Sequence, residues 1–421
     1  MEKSYILEDS ENWSSNELAI LFTDAIFQEP EFTKFVETEL NKAQVKVQSL
    51  WNLLGILRHV IRDHIGWTQP DIQPKFVERL SKLAAFEKQV VHSYEAYQPD
   101  RKINPDAVYW PNPLRSPARS VYDTLPIVKN LGIITKDTPV GSAGSCFAFE
   151  IAYNLQKRGF KYVVTEKWHD PENGVSGDVA DLKDPDNKYA RFSANWGILF
   201  NTPSFKQLAE KAFGVKKLPK LIVKRNLESG QTSYADPFRE NVFFHSVEAF
   251  EANYEKHIAA TRKALLESKV FVITLGLNEM WQYSLDGSVI SRNPSSKTLM
   301  PLLKHRVLSV EENISNIQSF IDITRAHNPD LKLLISVSPI PFLATAIAND
   351  SHVITANGHS KAVLRVAAEE LCRRNRDVFY FPSYEMVTTC IKNAWETDER
   401  HVTRAAVDRV MQLFDAMFVR T

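Results

Sequence analysis

Three cysteines in 421 residues, Cys146, Cys372 and Cys390, are too few and too scattered for a disulfide framework or a zinc site. An excess of either charge is also missing. Lys and Arg number 51, and so do Asp and Glu. A balanced chain has no global bias toward nucleic acid or an anionic membrane, and clusters such as Lys216-Lys217 and Arg373-Arg374 read as solvated faces. No apolar run reaches membrane-spanning length. The opening Met1-Glu2-Lys3-Ser4-Tyr5 leads into polar residues without the apolar stretch of a signal peptide. No nucleic-acid partner, no membrane insertion and a cytoplasmic location are therefore expected. His, Asp and Glu do not gather at metal-ligand spacing, and neither G-x-x-x-x-G-K-[ST] nor G-x-G-x-x-G occurs, so no metal and no nucleotide cofactor are expected.

What is present is an ordinary globular composition, 44% hydrophobic and 24% charged, over a length that fits one large domain with an appendage or two domains. Residues 1–98 read as helical, with helical spacing over Asn16 to Phe27, Pro30 to Ile65 and Pro74 to Tyr94. Trp51, Leu53, Leu54, Ile56 and Leu57 read as core there. Residues 99–135, proline-rich and polar at first, read as a linker or wrapping arm. From 136 to 421 short β-branched runs alternate with helical ones. The strands fall at Thr138 to Gly141, Tyr162 to Thr165, Val270 to Leu275, Lys332 to Val337 and Val378 to Phe381. The helices fall at Cys146 to Arg158, Val247 to Glu267, Glu311 to Ala326, Ser360 to Arg374 and Thr403 to Phe418. Ser309 and Glu312 form a capping box. This alternation predicts an α/β fold, a doubly wound parallel five-stranded sheet. A long insertion, about 168–245, interrupts it.

In such sheets function gathers at the carboxyl ends of strands. Ser145 lies at one, in Gly141-Ser142-Ala143-Gly144-Ser145-Cys146-Phe147-Ala148. Two glycines permit a sharp turn, and a helix follows whose first amides are unbonded. That suits a nucleophile whose reaction builds an oxyanion. The stretch equally fits a plain turn, a phosphate loop or a helix N-cap. Asp398-Glu399-Arg400-His401, after the last strand, places an acid three residues before a histidine. That spacing lets Asp398 orient His401 as a base, and it also fits a cap on the final helix. Cys146 reads as a small core residue. His245 and His359 read as structural.

Gly144-Ser145-Cys146-Phe147-Ala148 resembles the signature of the GSCFA family, which is similar to the SGNH (GDSL-like) hydrolases. Thr274-Leu275-Gly276-Leu277-Asn278-Glu279-Met280-Trp281, Ser336-Val337-Ser338-Pro339, Phe381-Pro382-Ser383-Tyr384-Glu385 and Asp398-Glu399-Arg400-His401 follow in order. The resemblance runs from about Pro139 to Phe418 and leaves out the N-terminal helices. It implies a flavodoxin-like sheet and a Ser-His-Asp site of Ser145, His401 and Asp398. Its oxyanion hole would be Asn278 with the backbone N–H groups of Gly197 and Ser145. The aspartate that follows the serine in the usual GDSL form is absent. Glu279, Trp281 and Tyr384 fit either an acyl or sugar pocket or the fixing of a loop. The expected activity is hydrolysis of small O-acyl esters, O-acetyl first, of carbohydrates, through an acyl-serine. The alternatives are an O-acetyltransferase of glycan modification and a non-catalytic carbohydrate-binding module.

Overall fold

Two runs without polar alternation, Val270 to Leu275 and Lys332 to Val337, form the centre of the larger part of the molecule, as parallel strands covered on both faces require. The computed structural model describes residues 14–44, 50–65, 73–97, 108, 110–113, 119–127, 129–177, 188–226, 232–291, 296–347 and 349–420. Its contacts divide into two units between Thr124 and Leu125.

The first unit is helical: α1 Ser15–Phe27, α2 Pro30–Lys42, α3 Leu50–Ile65 and α4 Gln73–Tyr97. Ser14 opens α1 with a capping box. Its hydroxyl accepts from the Glu17 amide at 3.3 Å, and the Glu17 carboxylate accepts from the Ser14 amide at 2.8 Å. Gln28 closes α1 in the left-handed conformation, and Pro30 starts α2. The stretch Pro30 to Ile65, expected as one helical run, is two helices, since α2 ends at Lys42. Phe27, Phe32, Val36, Leu40, Leu53, Leu54, Leu57, Ile61 and Leu83 bury together. Ile56 packs on their edge. The side chain of Trp51 lies outside the described residues, as do 99–107, 109, 114–118 and 128 of the expected arm.

The second unit runs β1 Val140–Gly144, α5 Cys146–Lys157, β2 Val175–Gly177, α6 Thr202–Ala212, β3 Val223–Asn226, β4 Thr232–Ala235, β5 Val242–Phe244, α7 Val247–Glu267 and β6 Val270–Leu275. It continues with β7 Glu279–Tyr283, β8 Val289–Ile290, β9 Leu303–Val307, α8 Val310–Arg325, β10 Lys332–Val337, α9 Val353–Arg374, β11 Val378–Phe381, α10 Ser383–Thr389 and α11 Arg404–Phe418. The central sheet is parallel, in the order β1-β6-β10-β11. Tyr162 bridges the outer edge of Val140, so the full order is that of a flavodoxin-like doubly wound fold. The fifth strand, expected at Tyr162 to Thr165, is a single bridge. Thr165 turns its amide to the Ser193 carbonyl at 2.8 Å instead of continuing along β1.

Alternate residues of the central strands serve opposite faces. Phe271, Ile273, Leu333 and Ile335 enter one cluster with Phe205 of α6, Phe320 of α8 and Leu364 of α9. On the other side, the rings of Phe381, Phe414 and Phe418 meet edge to face at 5.3–5.8 Å. Residues 129–135, read as linker, are not loose. Leu131 and Ile134 donate to the carbonyls of Met417 and Phe418 at 2.7 and 2.9 Å, and Arg420 returns a bond to Ile134 at 2.9 Å. The insertion is built rather than irregular. It carries the antiparallel sheet β2-β5-β4-β3 and helix α6. A third sheet, β8-β7-β9, follows β6. His359, read as structural, lies within α9, which starts seven residues before the expected Ser360.

Candidate active site

β1 ends at Gly144, whose φ of 152° lies outside the range ordinary side chains favour. A Cβ there would stand 2.7 Å from the Thr274 carbonyl oxygen of β6, so glycine is required for the strand to pass this closely. Ser145 follows as the N-cap of α5, yet its hydroxyl makes no capping bond. The residue is 3% exposed, and its Oγ is buried with no hydrogen-bond partner among the described residues. A buried hydroxyl in that state is uncommon and marks a candidate reacting group. The Ser145 amide donates to the Thr274 carbonyl at 3.1 Å. That N–H, expected in the oxyanion hole, is spent on the sheet.

Asp398 and His401 sit at the tip of a loop pinned at its base. Trp395 bridges Val402, Glu396 donates to the His401 carbonyl at 2.7 Å, and Thr403 donates to Ala394 at 2.9 Å. Asp398 Oδ1 accepts from the amides of Arg400 and His401 at 3.1 and 2.9 Å, and Oδ2 lies 2.5 Å from His401 Nδ1. Those contacts, the His401 amide foremost, then its ring and the Arg400 amide, hold the Asp398 carboxyl down to about 2. Glu399, between them, takes a φ of 54°, a strained setting for a side chain with a Cβ. The His401 side chain is 52% exposed. No bond joins it to Ser145.

A cavity of about 390 Å³ opens beside Ser145. Leu277, Met280 and Trp281 from the β6–β7 side line it, with Ile340, Phe342 and Leu343 from the segment after β10. Cys146, expected in the core, is half-buried and lines the cavity too. Glu279 lines it while holding the opposite wall. Its Oε1 accepts from the Thr345 hydroxyl at 2.5 Å, and its Oε2 accepts from the Ala346 amide at 3.1 Å and lies 3.2 Å from His305 Nε2. Arg400 reaches the rim, donating from Nε to the Pro341 carbonyl at 3.3 Å.

Three other expected residues are placed elsewhere. Gly197 has a φ of 70° and passes so close to Glu240 that a Cβ would come within 2.3 Å of its carbonyl oxygen. It serves a backbone crossing and lines no part of the cavity. Asn278 is buried, with its side-chain amide on the Leu308 carbonyl at 3.3 Å and its backbone amide on the Ser360 hydroxyl at 2.9 Å. It fixes the turn after β6 and does not line the cavity. Tyr384 packs against the central core, where burial, then the nearby Glu385 carboxylate, raises its hydroxyl pKa.

The sequence gives no sign of Lys361. It is 1% exposed on α9 and donates from Nζ to the Gly276 carbonyl, a cavity wall, at 2.8 Å. Burial lowers its ammonium to about 7, with Cys146 opposing. Lysine in an amphipathic helix reads as a solvated face, so no local signal marks it. A charged cluster beneath Asn195 is equally silent. The Glu166 carboxylate accepts from the Asn195 amide at 2.9 Å and the Asn253 side chain at 3.1 Å, and meets His257 Nδ1 at 2.7 Å. Arg239 donates to the Asn195 carbonyl at 2.8 Å and faces Glu166 at 3.5 Å. Among the described residues no group of three or more His, Cys, Asp or Glu is placed to share a metal ion, and no helix is long and apolar enough to cross a membrane.

Among solved structures the chain is similar to a carbohydrate esterase family 3 protein from Talaromyces cellulolyticus, at 9% identity and a TM-score of 0.29, covering 66% of this chain and 94% of that one. It is also similar to the family 3 carbohydrate esterase of Clostridium thermocellum, at 10% identity and a TM-score of 0.28, with the same coverage of 66% and 94%. No curated protein sequence matches it. The GSCFA family profile matches residues 139–414, a span that takes in β1, the Ser145 turn, the cavity walls and the Asp398–His401 loop. The chain belongs to the GSCFA family.

Proposed function

We propose that the protein cleaves an O-acyl ester by moving the acyl group onto Ser145 and then onto water. The observation that carries this reading is the Ser145 hydroxyl itself, buried beside a cavity, at the start of a helix it does not cap, and without a partner among the described residues. The Nδ1–H of His401 donates to Asp398, which leaves Nε2 as a proton acceptor.

In the first half-reaction Oγ bonds to the ester carbonyl carbon while its proton passes to Nε2. The π pair moves onto the carbonyl oxygen. The opening turn of α5, whose first amides find no acceptor within the helix, favours that charge. As the C=O bond re-forms, the ester C–O bond breaks and the leaving alkoxide takes the proton from Nε2. Water then repeats the sequence on the acyl-serine. Proton transfer requires Nε2 to come within about 3 Å of Oγ, so the exposed His401 ring must close on the cavity when substrate binds. A sugar hydroxyl suits the alcohol side, and transfer to a glycan hydroxyl would use the same acyl-serine with another acceptor.

The test uses a fluorophosphonate probe and p-nitrophenyl acetate. The expected outcome is labelling that Ser145→Ala abolishes, and turnover that Ser145→Ala and His401→Ala each reduce by at least about 10³-fold. Labelling unchanged in Ser145→Ala would remove this serine from the reaction.

A further inference from the structure

The cavity beside Ser145 is walled mainly by apolar side chains. Its walls at Leu277, Met280, Trp281, Ile340, Phe342 and Leu343 are apolar. A sugar brings several hydroxyls, each needing a partner, and burying them unpaired is unfavourable. Two of the polar side chains that line it, Glu279 and Asn201, are already committed. Both oxygens of Glu279 hold Thr345, Ala346 and His305. Asn201 Oδ1 accepts from the Ser204 amide and hydroxyl at 3.1 and 2.9 Å. The exposed Asp398–His401 pair belongs to the loop that carries Arg400 to the rim, and the Ser145 and Ser338 hydroxyls also line the cavity.

Volume points the same way. The cavity of about 390 Å³ is more than twice the roughly 150 Å³ of a cavity that takes up a benzene ring. An acetyl group would leave most of it empty.

We infer that this cavity holds an aliphatic acyl chain of about six to ten carbons, with the alcohol part of the ester left outside at the loop of Asp398 and His401. The inference rests on the ester reading above and replaces the acetyl group expected from the sequence. Apolar burial drives the selection, and each added methylene raises kcat/KM about fourfold until the cavity is full.

The experiment compares p-nitrophenyl acetate, butyrate, hexanoate and octanoate with the full chain, and measures acetate and octanoate binding by calorimetry. The expected result is kcat/KM rising from acetate to at least hexanoate. Octanoate should bind at least about tenfold more tightly than acetate and slow fluorophosphonate labelling of Ser145. Hydrolysis that needs Ser145 but is fastest on acetate overturns the inference and leaves the ester reading standing. Octanoate binding with no hydrolysis of any ester supports the chain pocket and overturns the ester reading. Equal binding of the two acids overturns the inference outright.

Discussion

Lys361 sits where an ammonium is hard to keep. It is enclosed by protein, and among the described residues no carboxylate pairs with it. Its folded pKa, about 7, lies below the ordinary lysine value. The folded state therefore binds its proton more weakly than the unfolded chain does. That penalty grows as pH falls from the unfolded value and is complete below about 7. Removing the charge relieves it, against a loss of about 1–3 kcal/mol for the Gly276 carbonyl left without a donor. Lys361→Met is accordingly expected to melt no lower than the native protein in a thermal scan near pH 7. The same variant should lose about 10- to 100-fold in kcat/KM on an ester, because the wall that Gly276 and Leu277 form beside Ser145 is no longer fixed. A lower melting point with full activity would mark Lys361 as a packing residue.

The elements differ in how readily they are seen in the sequence, for physical reasons. β6, β10 and β11 match their apolar runs residue for residue; β6 and β10 lie inside the sheet and are almost wholly apolar, which marks their limits. The capping box of α8 was equally legible in Ser309 and Glu312. The insertion was not. α6 buries Lys211, Gln207 and Ser204 along with its apolar residues, so it has no clean stripe, and its strands are three or four residues long. Gly197 and Asn278 carried motif letters whose local partners are set by chain crossings that no spacing reveals. The loop holding Asn195 and Gly197 depends on the Glu166 cluster. There burial opposes the Glu166 charge, but the Arg239 guanidinium and the hydrogen bonds from the His257 ring and the Asn195 amide overcome it and lower its pKa. Burial first, then Arg239, lowers the His257 pKa, and the ring stays neutral. Glu166→Gln strips Arg239 of its closest counter-charge and is expected to cost about 3 kcal/mol in urea unfolding. Because the folded His257 pKa is depressed, stability is full above the unfolded histidine value. It should fall by about 1.4 kcal/mol per unit as pH drops below about 6.5, and His257→Gln should flatten that slope. An unchanged slope would remove His257 as its source.

At the scale of the whole molecule, the two units each have a buried core of their own. The second also needs its first residues. The Asn130 side chain caps the end of α11, donating to the Ala416 and Val419 carbonyls at 2.9 Å each, and Leu131 and Ile134 extend the same seam. A chain starting at Leu125 is expected to unfold cooperatively and to keep Ser145-dependent labelling. A chain starting at Pro139 should lose stability by several kcal/mol, since the last turn of α11 and the Phe414–Phe418 contacts are freed. Equal denaturation midpoints for the two would refute this. The Ser145 oxygen has one more effect on the whole molecule. Its hydrogen has no acceptor among the described residues, and esterifying the oxygen deletes that hydrogen altogether. The covalently loaded molecule should therefore withstand heat better than the empty one, so a rise in melting temperature on trapping the acyl form would reveal the resting state as the less comfortable of the two.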